Sequence, residues 1–250
     1  MIEGIEFFRN YFEKYKDQYV LIGGAACDII MEETGREFRA TKDLDMVLIV
    51  EALTPEFGKA FWDFINEGGY RNKSKSSGEP QFYRFDKPAR RGFPYMIELF
   101  SRSSFEMPHE NNVLIPIHID DEVSSLSAIL LNHAYYQMLL GGRTEVEGVM
   151  ILEPVYLIPF KVRAWLDLTD KKNKGISVDE KDIRKHKNDI ARLAVVLSGD
   201  NFVQLPEEVR ADMEDFISQY EKKPVDLKNL GIRDVTNAEI ISRLKTVYLL

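Results

Sequence analysis

The sequence predicts an α/β (α+β) protein, with strands and helices interleaved over residues 1–120 and a helical region over residues 121–250. Three observations predict it. Residues 19–51 read as an apolar strand, a Gly-Gly turn, a short helix and a second strand opening on Asp43-Leu44-Asp45. Short strand-like runs follow at residues 81–86, 93–100 and 113–119. From Ser124 apolar residues instead recur at helical spacing, so the period changes near residue 120.

Size and composition set the bounds. A chain of 250 residues can bury a substantial core, and 44% hydrophobic with 30% charged residues describes an ordinary soluble globular protein. The formal charge of -8 argues against a wholesale nucleic-acid-binding surface while leaving room for a local basic groove. Residues 1–16 carry acids and no uninterrupted apolar run, which predicts an amphipathic helix rather than a signal peptide. Asp28 interrupts the longest early apolar run, so no membrane span is expected. The single cysteine, Cys27, excludes an intrachain disulfide, fits a reducing cytoplasm and reads as a small buried residue.

The elements follow in order. Residues 19–22 form the first strand, and a helix is expected from about Ala25, after Gly23-Gly24. Because a strand has a side-chain period of two, Asp43 and Asp45 share one face while Leu44, Met46, Leu48 and Val50 share the other. Thr54-Pro55 reads as an N-cap with proline at the first helical position, and Phe57, Phe61, Phe64 and Ile65 keep helical spacing until Gly68-Gly69. Residues 71–78 are polar, basic and Ser-rich, hence an exposed loop. A basic turn at 87–91 joins the next two strands, Met107-Pro108-His109 reads as a loop, and Pro116 pushes the last strand to an edge, with His118 structural.

In the second half Leu126, Ile129, Leu130, His133, Tyr136 and Leu140 make one helical face ending at Gly141-Gly142. A helix is expected from near Pro159, with Val162, Trp165, Leu166 and Thr169 on one face and Lys161 on its border. Residues 171–181 read as a charged loop. Residues 182–197 form a helix buried through Ile183, Ile190, Leu193, Ala194 and Leu197, with Lys185, His186, Lys187 and Asp189 adjoining. Two more helices follow, one entering at Pro206 and one opening on the capping-box candidate Thr236 to Glu239.

The chemistry concentrates at the first two strands. Two carboxylates on one strand face repel each other unless a cation is shared, and hard oxygen ligands suit Mg²⁺, which also takes substrate phosphates. Gly23-Gly24 lets backbone approach a ligand and presents helix N-terminal N–H groups to phosphate. Taken singly, the glycines also read as a tight turn and the D-x-D as a solvated edge. Glu98, one carboxylate in an apolar strand, needs a cation or the solvent. It is a candidate third acid or the partner of a structural arginine. Lys161 either snorkels or meets an anion. Asp189 stands four residues after Lys185, so a helix-surface pair worth about 0.3–0.5 kcal/mol is the simpler reading of both. Arg39 and Thr41 share the face of the acids if the strand extends backward.

Strand, Gly-Gly, helix and D-x-D together resemble the nucleotidyltransferase superfamily with the DNA polymerase β type of fold. Arg39-Ala40-Thr41-Lys42-Asp43-Leu44-Asp45 is similar to the R-x-T-x-D-L-D block of its AbiEii-like branch, which includes toxins of bacterial toxin-antitoxin pairs. The resemblance implies a mixed sheet flanked by helices, with a helical region closing one side of a nucleotide cleft. It implies one or two Mg²⁺ ions on Asp43 and Asp45, assisted by Glu98, which could also orient or deprotonate the acceptor. Gly23 and Gly24 would hold the triphosphate, with Arg39 and Thr41 as phosphate or acceptor contacts. The run around Lys161 resembles the family's K-x-R-A helix, which makes Lys161, and more weakly Arg163, phosphate ligands. The K-H-K-N-D-I-x-R-L run resembles the closing motif, in which Asp189 helps complete the active site beside Lys185, His186 and Lys187.

The implied reaction is transfer of NMP from an NTP to a hydroxyl, releasing pyrophosphate. An RNA 3′ end, a protein or a small molecule would serve as acceptor, and a toxin acting on tRNA, with an antitoxin partner, is one form of it. The alternative is a non-catalytic nucleotide-binding or partner-binding protein with the same fold. A basic rim from Lys73, Lys75, Lys87, Arg90, Arg91, Lys171, Lys172 and Lys174 would favour RNA. The resemblance spans residues 20–197 in scattered motifs.

Overall fold

The computed structural model describes residues 2–71, 84–102, 107–109, 112–114, 129–130, 132–199 and 202–250. The expected loop beyond Arg71, with Lys73 and Lys75, lies outside the described residues, as do Pro116, His118 and the start of the helix expected from Ser124. The chain divides into two compact units, Met1–Leu131 with Arg143–Leu152, and Asn132–Gly142 with Glu153–Leu250.

The first unit holds α1 (Ile5–Phe12), β1 (Tyr19–Ile22), α2 (Gly23–Glu33), β2 (Asp43–Leu48), α3 (Pro55–Gly68), β3 (Arg84–Asp86) and β4 (Met96–Ser101). It continues with β5 (Met107–His109), β6 (Asn112–Leu114), β7 (Arg143–Val146) and β8 (Val149–Leu152). Six strands form a mixed sheet in the order β3-β4-β2-β1-β8-β7, as the sequence predicts in kind. Strand β2 runs antiparallel to β1 and parallel to β4, and β3 is antiparallel to β4. The segment expected as a loop at Met107-Pro108-His109 is instead β5, paired antiparallel with β6. In a two-stranded ladder both strands are edges, where a proline with no N–H is tolerated.

Residues opposite one another on neighbouring strands share a face of the sheet. Tyr19, Leu48, Leu21, Met46, Leu99, Leu44, Ile97 and Phe85 fall on one face by register, and all are buried. Helices α1 and α3 supply the cover: Phe8 packs edge-on against Tyr19 at 5.4 Å between ring centroids, and Phe61 against Phe85 at 5.5 Å. Helix α3 starts as its sequence predicts, with the Thr54 hydroxyl accepting from Phe57 N–H at 3.3 Å and Pro55 in the first turn. This aromatic layer fixes which way β2 and β4 present their other side chains. The opposite face carries Asp43, Asp45 and Glu98.

Strands β7 and β8 form a hairpin that the sequence reading passed over. Its two turn residues, Glu147 and Gly148, have φ of 47° and 81°, as a type I′ turn requires.

The second unit is helical: α4 (His133–Gly141), α5 (Pro154–Asn173), α6 (Glu180–Val196), α7 (Glu207–Lys222) and α8 (Asn237–Val247). Residues 129 and 130 of the run expected from Ser124 are helical, and Asn132 caps α4, Oδ1 accepting from Ala134 N–H at 2.9 Å and Tyr135 N–H at 3.3 Å. Helix α8 carries the predicted capping box between Thr236 and Glu239. Arg243 on α8 donates to the carbonyls of Ala194 and Val195, satisfying the C-terminal end of α6.

Helix α5 starts at Pro154 rather than near Pro159, so Pro159 sits inside it. An interior proline has no N–H for the carbonyl four residues earlier, here Val155. That carbonyl accepts instead from the Tyr248 hydroxyl at 2.7 Å, and Tyr248 is fully buried. Burial holds the phenol pKa well above its usual value, so Tyr248 remains a donor. Tyr248→Phe keeps the ring and removes only the donor; it is expected to lower unfolding free energy by about 1–3 kcal/mol in urea titrations.

Candidate active site

One row of side chains crosses the sheet on the face opposite the aromatic layer. Ile22 on β1 pairs with Asp45 on β2, Asp45 with Glu98 on β4, and Glu98 with Arg84 on β3. Asp43 lies two residues before Asp45 and therefore on the same face. Asp43, Asp45 and Glu98 are half-buried, whereas Leu44 and Ile97 beside them are completely buried. The same-face placement of the two aspartates agrees with the period-two reading, and Glu98 stands directly across from the second.

Strand β1 ends at Ile22, and α2 begins at once with Gly23 and Gly24, so both glycines lie in its first turn rather than in a separate turn before it. Gly23 has φ of 68°, and a Cβ there would fall inside the carboxylate of Asp45. A Cβ on Gly24 would lie 2.6 Å from Thr41 Oγ1 and 3.3 Å from an Arg39 guanidinium nitrogen. The two glycines thus make room for three polar side chains at the start of a helix. Ile22, the N-cap residue, has no side-chain acceptor for the first N–H groups of α2. Strand β2 starts at Asp43 and residues 36–42 are irregular, so the condition for Arg39 and Thr41 to share the strand face of the acids is not met. Arg39 and Thr41 reach Gly24 from that loop.

Glu98 has a partner of its own. Arg84 Nε donates to Glu98 Oε1 at 2.6 Å, and a terminal guanidinium nitrogen meets the same oxygen. Among the described residues no group of three or more His, Cys, Asp and Glu side chains is disposed to hold a metal ion.

The remaining candidates belong to the second unit. Lys161 Nζ lies 2.9 Å from Asp189 Oδ2, with the lysine side chain 5% and the aspartate 0% exposed. Arg192 approaches the other carboxylate oxygen at 3.7 Å. The anion that Lys161 meets is therefore a side chain of the protein, and the Lys185 to Asp189 pair does not form; Lys185 is exposed. Arg163 donates to Asp212 at 3.0 Å, and the Tyr135 hydroxyl donates to the same carboxylate at 2.7 Å. His186 is half-buried. Lys187 donates to the Lys223 carbonyl and lies 5.5 Å and 5.2 Å from the ring centroids of Trp165 and Tyr220. Burial, with Lys223 nearby, lowers its pKa.

Four members of the expected basic rim are ion-paired: Arg90 with Glu67, Lys171 with Asp167, Lys172 with Glu180 and Lys174 with Asp170. The sequence reading did not single out Arg84, Arg192, Asp212 or Tyr135. For Arg84 the only signal is the Arg-Phe-Asp alternation of β3, which places it on the face opposite Phe85. No family model matches the chain, and no curated protein matches it.

Proposed function

We propose that the first unit is a Mg²⁺-dependent nucleotidyltransferase, transferring NMP from an NTP to a hydroxyl acceptor with release of pyrophosphate. The observation that carries this reading is the placement of Asp43 and Asp45 on one sheet face, with the Asp45 carboxylate packed against Gly23 at the start of α2. The donor set suits the ion: Mg²⁺ is commonly held by one or two carboxylates and completes its shell with waters and substrate phosphates, so a three-acid cage is not required. Asp43 and Asp45 would hold it, where it would neutralise charge on the phosphates and on the leaving oxygen. Gly24 leaves room for the Thr41 hydroxyl and the Arg39 guanidinium beside the start of α2, where they would donate to the triphosphate together with the helix N–H groups. Positioning of phosphate against the acceptor is then the work of the loop before β2 and the first turn of α2.

Arg90, Lys171, Lys172 and Lys174 each stand in a solvent-exposed ion pair, which a polyanionic acceptor would exchange for its phosphates. An AbiEii-like toxin acting on tRNA, held by an antitoxin, is the narrower form of the proposal. Incubation with each α-labelled NTP, Mg²⁺ and either total RNA or a metabolite extract tests both forms. Label incorporation should fall about a hundredfold or more in Asp45→Asn, since several kcal/mol of charge stabilisation go with the lost carboxylate. The Arg84–Glu98 pair favours a second reading, nucleotide binding without transfer. Nucleotide binding with no incorporation into any acceptor would select it.

A further inference from the structure

We propose that the loop joining α7 to α8 binds a small amphipathic anion, an apolar chain ending in a carboxylate. Residues 225–237 run from just beyond α7 to the first residue of α8, and the two ends are tied together. Asn237 Nδ2 donates to the Val225 carbonyl at 3.1 Å, and Asn237 Oδ1 accepts from the Tyr220 hydroxyl at 2.5 Å. A compact surface loop whose ends meet is an Ω-loop, a form that is frequently functional. Within it the Leu227 carbonyl accepts from the N–H groups of both Leu230 and Ile232, which fixes the turn. The loop shapes a concavity of about 690 Å³, lined only by residues between Val225 and Asn237. Val225, Leu227, Ile232 and Val235 give it an apolar lining, and the exposed Lys228 and Arg233 stand among them.

Charge selects the occupant. Asp226 is the one acid in the lining, and Asn229 already donates to it, through the backbone N–H at 3.2 Å and Nδ2 at 2.8 Å. Neither Lys228 nor Arg233 forms an ion pair with another described residue, whereas Lys172, Lys174, Arg210 and Lys245 of the same unit each do. Two uncompensated cations around an apolar hollow suit a ligand of opposite charge with an apolar body. Its chain leaves water, and its carboxylate meets ammonium and guanidinium donors where lower polarity strengthens the attraction. Size favours a small molecule over a protein partner. Ligand cavities run to about 300–1,000 Å³, whereas a stable protein interface draws on about 20–30 residues a side, more than this one loop supplies. The site lies wholly within the second unit and is independent of the nucleotide reading.

Isothermal calorimetry of the full chain with sodium octanoate tests the proposal, with 1-octanol and octylammonium chloride as probes of equal chain length and different head group. Octanoate should saturate one site and bind about tenfold or more tightly than octanol, the scale of a hydrogen bond to a charged group, with octylammonium weaker still. The Lys228→Met, Arg233→Met double variant should lose about tenfold or more for octanoate and leave octanol unchanged. Both replaced side chains are exposed, so the fold should be kept, which circular dichroism checks. Val235→Asp, which puts a charge into the apolar lining, should weaken octanoate and octanol alike. Amide correlation spectra during the octanoate titration should show shifts at residues 225–237. No saturable octanoate binding, equal binding of the three probes, or an octanoate affinity unchanged in the double variant would overturn the proposal, as would shifts confined to other segments.

Discussion

Lys161→Met should lower the unfolding free energy by about 3–5 kcal/mol, because it strands a carboxylate that has no access to water. Asp189 is fully buried, with one oxygen 2.9 Å from Lys161 Nζ and the other 3.7 Å from an Arg192 nitrogen. Breaking a buried pair from one side costs far more than deleting both charges. The double variant Lys161→Met, Asp189→Leu should therefore recover most of the loss. Thermal unfolding makes the comparison, since a chain of this size shifts its midpoint by about 2–4 °C per kcal/mol. If Lys161 instead served chiefly to hold phosphate, Lys161→Met would leave the midpoint almost unchanged and weaken nucleotide binding.

Gly23→Ala should disable the candidate site of the first unit outright. The residue has φ of 68°, and an L side chain in that left-handed region costs about 1–2 kcal/mol. The added methyl group would also occupy the space of the Asp45 carboxylate. Either Asp45 rotates away from the row or α2 shifts, and both remove a proposed Mg²⁺ ligand from the helix start. Calorimetry with Mg²⁺ and a nonhydrolysable NTP should show binding lost, by a hundredfold or more on the order of a removed charge-stabilising group. Far-ultraviolet circular dichroism should stay close to wild type. Retention of wild-type affinity would mean that Asp45 and the glycines do not act together.

What was legible in the sequence follows what local physics controls. The shared face of Asp43 and Asp45 needs only the two-residue period of a strand. The starts of α3 and α8 need only a side-chain cap and, for α3, a proline, all within four residues. Strand register is different, because hydrogen bonds between distant segments set it; nothing in residues 84 and 98 alone says that they face each other. The Lys161–Asp189 pair joins two helices whose facing surfaces are decided by packing, so in the sequence Lys161 read as a phosphate ligand and Asp189 as a residue that helps complete the active site. Pro159 misled for a physical reason: interior prolines are disfavoured, and the compensating hydroxyl lies far along the chain. The β7–β8 hairpin had a local signal, Glu-Gly between the mostly polar Arg143–Val146 and the apolar Val149–Leu152, weaker than the Asn-Gly or Asp-Gly pairs that mark such turns most strongly.

The Tyr248 hydroxyl and the Val155 carbonyl are separated by 93 positions. A ribosome releases the chain N-terminus first, at about 5–20 residues per second, so α5 waits roughly 5–20 s for its donor. During that interval the proline-interrupted helix must satisfy the carbonyl from solvent, which a buried segment cannot do. The Val155 carbonyl is thus expected to gain its buried donor only once residue 248 has been synthesised.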